Sequence, residues 1–251
     1  MELTTIKLFF AILILITTIT SGWYPFKKRI KTRQCHDYPL GEALASGVFL
    51  GAGLVHMLGD SARAFFSMNY DYPLAFSFAG ISFLLLLLLE HIGRELYKNQ
   101  NGNSQLFAIT AVVMLSFHSF LEGAALGLSD NISIVILILI AIIAHKWAAS
   151  FSLAVHINKS SLKPIIGIIA FAIFTVMTPL GIVTGNFALE KLGQYPLLTP
   201  TFTALAAGTF LYLGTLHGLD KAVMIKQCCN LKYFSFVILG FSIMAILAIW
   251  C

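Results

Sequence analysis

A few of the seven histidines and eleven carboxylates in this 251-residue chain stand where an apolar sequence would ordinarily exclude them. In the stretch MLSFHSFLEGAALGL, His118 and Glu122 are four residues apart, which on a helix puts an imidazole and a carboxylate on one face, one turn from each other. The run IIAHKWAASFSLAV carries His145 and Lys146, and SGVFLGAGLVHMLGD carries His56 and, one turn later, Asp60. Ionisable groups deep in apolar segments are costly, so each is a functional candidate unless it snorkels or pairs locally. Neutral imidazoles combined with a carboxylate suit a first-row divalent ion such as zinc better than magnesium or calcium, which take all-oxygen shells. Such an ion would neutralise Glu122 and engage the imidazole lone pairs, cancelling much of the cost of burying them. His56 is a candidate fourth ligand and Asp60 a candidate approach step, although the plainer reading of that pair is that the two residues bond each other. Any single buried histidine has a structural reading too, a hydrogen bond to a carbonyl or a serine hydroxyl. It is the grouping of His118, Glu122 and His145 that points to a metal.

The elements that must position these groups are helices in lipid. With 58% hydrophobic and 11% charged residues and a mean hydropathy of +0.87, the chain is not a soluble domain. A span needs about 20 apolar residues. Eight are marked at roughly 3–22, 42–60, 73–93, 106–128, 132–156, 164–186, 198–217 and 233–250. The expectation is an all-α polytopic membrane protein of one transmembrane domain, 1–251, with its first span retained and not cleaved as a signal. The connection at about 129–131 is short enough to pair the fourth and fifth spans antiparallel, so that the middle of one faces the middle of the other. The net charge of +5 follows the loops. Lys27, Lys28, Arg29, Lys31 and Arg33 follow the first span; Arg94 and Lys98 the third; Lys159 and Lys163 the fifth; Lys221, Lys226 and Lys232 the seventh. That distribution excludes a nucleic-acid surface and places both termini outside the cytosol. Gly47, Gly51 and Gly53, and Gly123 with Gly127, allow close helix approach. Pro179 is expected to interrupt the sixth span and bring Thr178 to the break. Cys35, Cys228, Cys229 and Cys251 imply no disulfide framework.

These residues resemble a known family. His118-Ser119-Phe120-Leu121-Glu122-Gly123 is similar to the HxxxEG signature on the fourth helix of ZIP metal transporters, and His145-Lys146 followed by FSLA is similar to the fifth. GVFLGAGLVHM, MTPLG and AAGTFLYLGTLHG fall in the family's order, so the resemblance covers most of the chain. It implies eight helices with both termini outside, His118, Glu122 and His145 as primary ligands with His56 contributing, a homodimer, and elevator-like movement of helices one, four, five and six against the others. The plasma membrane is the location it implies. Several members hold two metals, through an acid or amide after the fifth-helix histidine, a Glu four residues after it and a Glu before the helix-six proline. Here those positions are Lys146, Ala149 and Thr178, and the ammonium predicts a single metal. His217 stands where relatives usually carry Glu, and Glu90 with His91 lies near the end of the third span; these mark an exit route or snorkel. The loop RELYKNQNGNSQ lacks the histidine run many relatives carry.

The leading expectation is therefore inward transport of a divalent metal, zinc first, with the ion as substrate, no cofactor, and lipid and a second copy as partners. Ser119, Lys146, Asp60, Thr178, His217 and Glu90 are expected along its path. An intramembrane zinc hydrolase, with Glu122 or Asp60 as general base, is the alternative. It lacks a spare mid-membrane carboxylate beside three firm ligands. A metal-bound receptor or scaffold is a third reading.

Overall fold

The computed structural model describes residues 3–27, 39–96, 103–192, 195–216 and 231–249. Eight helical elements occur among them. They are α1 (Leu3–Lys27), α2 (Pro39–Gly51, a π-helical turn Ala52–Met57, then Leu58–Ser67), α3 (Leu74–Leu96), α4 (Asn103–Leu128), α5 (Ile132–Lys159), α6 (Pro164–Leu192), α7 (Leu198–Tyr212) and α8 (Leu231–Leu247). The chain is all-α and polytopic, as expected. Six of the helices are long and apolar enough to cross a bilayer by themselves, while α7 and α8 are shorter within the described residues. Several elements outrun the expected spans. At about 1.5 Å per residue, the 28 residues of α5 reach past a ~30 Å hydrocarbon core into the headgroup layer, which hydropathy does not mark.

Burial is the inverse of a soluble protein. Phe9, Ile12, Leu84, Leu88, Ile165 and Phe187 are exposed, whereas Lys7, Glu122 and Lys146 are buried. Only a lipid solvent makes that distribution favourable, because apolar side chains lose nothing by facing acyl chains.

The helices pair into two groups. In one, α4 packs on α6 and α1 packs on α5 and α6; in the other, α2 packs on α8 and α3 on α7. The groups meet mainly along α4 with α7 and α2 with α5. Glycines set the closest pairings. A Cβ at Gly123 or Gly127 would collide with the backbone of Thr178 or Ile182 on α6, and one at Gly181 or Gly185 would collide with Phe120 or Ala124 on α4. The second group repeats the device, with Gly47 against Val237 and Gly240 against Leu44. Helix α6 is not interrupted at Pro179 but runs unbroken from Pro164 to Leu192. The missing amide costs one intrahelical bond, which packing against α4 and α1 makes tolerable.

Helix α1 is bound into the fold by a buried cation. Lys7 Nζ donates to the Gly127 carbonyl at 2.7 Å and to Asn186 Oδ1 at 3.0 Å, tying α1 to the end of α4 and to α6. A lysine ammonium is a fitting partner for a free carbonyl in the last helical turn.

Candidate metal site

The short connection between α4 and α5 makes them antiparallel, and at mid-helix His118, Glu122 and His145 converge. One ligand atom from each lies within 4.8 Å of the others, and all three side chains are buried. Glu122 Oε2 is the hub, 3.1 Å from His118 Nε2 and 2.8 Å from His145 Nε2. A tetrahedral zinc with bonds of about 2.0–2.1 Å keeps its ligand atoms roughly 3.3 Å apart, so this cluster is already near the spacing an ion would impose.

The outer contacts of His118 select its ligand atom. Its Nδ1 faces the Ala206 carbonyl at 3.2 Å and Thr209 Oγ1 at 2.7 Å, and Thr209 Oγ1 in turn donates to that same carbonyl at 2.6 Å. A carbonyl only accepts, and the Thr209 proton is committed to it, so this network assigns the imidazole proton to Nδ1 and leaves the Nε2 lone pair toward Glu122. With Nε2 unprotonated, it and Glu122 Oε2, 3.1 Å apart and buried, form a pair of acceptors that a shared cation would bridge. Phe210 fixes both rings, stacking on His118 at 3.6 Å between centroids and meeting His145 edge-on at 4.8 Å. These α7 contributors escaped the sequence reading, because an aromatic and a threonine among small residues look like ordinary packing.

The other carboxylate oxygen is taken by Lys146. Its Nζ donates to Glu122 Oε1 at 2.7 Å, Ser119 Oγ at 2.8 Å and Thr178 Oγ1 at 2.6 Å, using all three ammonium protons. Thr178 Oγ1 donates onward to Glu122 Oε1 at 3.2 Å. The ring of Phe174 lies 4.9 Å from Nζ. A buried ion pair survives its desolvation cost only when further hydrogen bonds satisfy it, and here all three ammonium protons and Glu122 Oε1 are engaged.

His56 is not part of the three-residue cluster. It sits in the π-helical turn of α2, with Nδ1 2.8 Å from Asp60 Oδ2, and Arg63 pairs with the other oxygen of Asp60. His56 and Asp60 instead line a cavity of about 500 Å³ whose wall also includes Glu122, His145, Asp130 and Thr199. The cavity runs from the cluster to the end of the bundle where the α4–α5 and α6–α7 connections lie. Asp130, in the first of these connections, was not singled out from the sequence. Glu90 is partly exposed near the end of α3 and is not on the cavity wall. His217, the Cys228–Cys229 pair and most of the loop after α3 lie outside the described residues.

A polytopic helical bundle with a buried imidazole and carboxylate cluster at the foot of a cavity that also carries His56, Asp60 and Asp130 on its wall has the form of a membrane transporter for metal ions. Comparison with known proteins agrees: the sequence profile of the ZIP zinc transporter family matches residues 98–248, and the chain belongs to that family. Its members are transporters and not enzymes. The chain is 27% identical to zinc transporter ZIP2 of Mus musculus over 258 residues, covering 82% of this chain and 83% of that one. It is 35% identical to zinc transporter ZIP1 of Danio rerio over 160 residues, 63% of this chain and 53% of that one. A third relative, zinc transporter ZIP2 of Homo sapiens, is 25% identical over 262 residues, covering 82% of this chain and 84% of that protein.

Proposed function

We propose that this protein carries zinc into the cytosol through a single site formed by His118, Glu122 and His145, with the cavity as the outward-facing approach. The observation that supports this most directly is the convergence of His118 Nε2 and His145 Nε2 on Glu122 Oε2, with His118 Nδ1 turned away to Thr209 and Ala206. The similarity to zinc transporters ZIP1 and ZIP2 makes zinc the first choice of substrate. In this reading the ion passes His56 and Asp60 on the cavity wall, exchanges water for the three ligands, and leaves at the opposite end. Lys146 occupies the side of Glu122 that a second metal would need, so one ion is carried at a time. The lysine also balances Glu122 when no ion is bound.

The excess of Lys and Arg in the loops at the opposite end supports a cavity end that faces outside, with the termini on the same side. Movement of α1, α4, α5 and α6 as a body against α2, α3, α7 and α8 would expose the site to the other side, and the two packing groups of the fold support that division. A single 1–251 transport domain, a homodimer and a plasma-membrane location complete the proposal. An inside-negative potential drives the process: at about 2.3 kcal/mol per charge per 100 mV, a dication gains roughly 4.6 kcal/mol, so no ATP is required.

Zinc-65 uptake into proteoliposomes tests the reading. The wild-type chain should accumulate zinc, and His118→Ala and Glu122→Ala should abolish uptake while both variants reconstitute normally. Uptake that persists in both variants would refute the assignment.

A further inference from the structure

The end of the bundle away from the cavity holds a second grouping of the same chemistry. On α5, His145 is followed by Ala149, Ser152, His156 and Lys159, alternately four and three residues apart, which is one stripe down one helix face. Ala149 and Ser152 are buried and small. From His145 to His156 the helix advances about 16 Å, which carries from the middle of a ~30 Å core to its edge. Glu42, in the first turn of α2, meets the stripe there. Lys159 Nζ donates to Glu42 Oε2 at 2.8 Å, and Glu42 Oε1 lies 3.9 Å from His156 Nδ1. All three side chains are partly exposed, at 18% for Glu42, 17% for His156 and 26% for Lys159, whereas Glu122 is buried.

The arrangement repeats the buried site in reduced form. At Glu122 one oxygen faces the His145 imidazole and the other takes the Lys146 ammonium. At Glu42 one oxygen faces the His156 imidazole and the other takes the Lys159 ammonium. The two groupings sit on the same helix face, one buried at mid-membrane and one at the edge, and the lower one joins α2 to α5 across the two packing groups. A single ion with bonds of about 2.0–2.2 Å can span the 3.9 Å between Oε1 and Nδ1.

We propose that Glu42 and His156 form a low-affinity exit site for the transported divalent cation, with Lys159 as a tethered competitor that ensures its release. This rests on the transport reading above. The ion leaving His145 and Glu122 meets a nitrogen and a carboxylate oxygen, completes its shell with water, and pushes the Lys159 ammonium aside. The ammonium returns to Glu42 as the ion departs, so no charge is left uncompensated at the membrane edge.

Zinc is the probe, applied to the purified full chain. After desalting, the wild type should retain one zinc, and Lys159→Gln should retain two. The second zinc should be lost again in the Glu42→Gln/Lys159→Gln and His156→Ala/Lys159→Gln pairs. In proteoliposomes, Glu42→Gln and His156→Ala should lower maximal zinc-65 uptake about tenfold with little change in half-saturation by external zinc. A purely structural ion pair predicts a less stable Lys159→Gln protein that still holds one zinc. That result, or wild-type uptake by Glu42→Gln, overturns the exit site. Failure of the underlying reading looks different: the wild type would then bind no zinc, or His118→Ala would bind and transport it normally.

Discussion

At the scale of single residues, the decisive feature is how little freedom His118 and Glu122 retain. His118 is held by Thr209, Ala206 and the Phe210 ring, and Glu122 is held by Lys146 and Thr178. Partners that orient a ligand without touching the ion typically change metal affinity 10- to 100-fold when removed. Thr209→Val should therefore leave the fold intact and weaken zinc binding about tenfold, as read by competition with a chelating dye. Lys146 belongs to the same logic with opposite sign. Its replacement by Asp exchanges a cation for a carboxylate between Glu122, Ser119 and Thr178, and metal analysis of the desalted protein should then find one more zinc per chain than in the wild type. Equal zinc content in both forms would show that the ammonium does not set the stoichiometry.

At the scale of elements, the site depends on α4 and α6 approaching closely enough for Thr178 to reach Lys146. That approach rests on Gly123, Gly127, Gly181 and Gly185, where added side chains would meet backbone, which cannot yield as a flexible side chain can. Gly127→Leu should lower the thermal midpoint in detergent by several degrees or prevent accumulation of folded protein, whereas Gly80→Leu, on α3 with open space around it, should change neither. A matching loss at Gly80 would show that the effect is general and not one of packing. The glycine spacing on α2 and α4 was legible in the sequence, as were the helices and the pairing of α4 with α5. The partners were not, because a small-residue pattern states that a backbone comes close without saying whose. For the same reason His118, Glu122 and His145 stood out as groups too polar for their surroundings, while Thr209 and Phe210 did not, since each is ordinary in an apolar helix. The π-helical turn at Ala52–Met57 was equally hidden: it holds His56 on the cavity wall, apart from the cluster, a placement that a plain helical count does not yield.

At the scale of the whole molecule, two packing groups enclose a cavity that reaches the histidine and carboxylate cluster at one end and are joined by an ion pair at the other. With zinc as the sole driven ion, imposing an inside-negative potential of about 100 mV on proteoliposomes should raise accumulation steeply, toward an equilibrium limit on the order of a thousandfold. Accumulation indifferent to voltage would require a compensating charge to move with the metal. The central claim is narrower than either of these: a single dication is held by two imidazole nitrogens and one carboxylate. X-ray absorption at the zinc edge of the loaded, desalted protein tests it most directly. The expected spectrum has nitrogen and oxygen neighbours at about 2.0–2.1 Å with the outer-shell signature of two imidazoles, falling to one in His118→Ala. Sulfur neighbours at about 2.3 Å, or a spectrum that His118→Ala leaves unchanged, would contradict it.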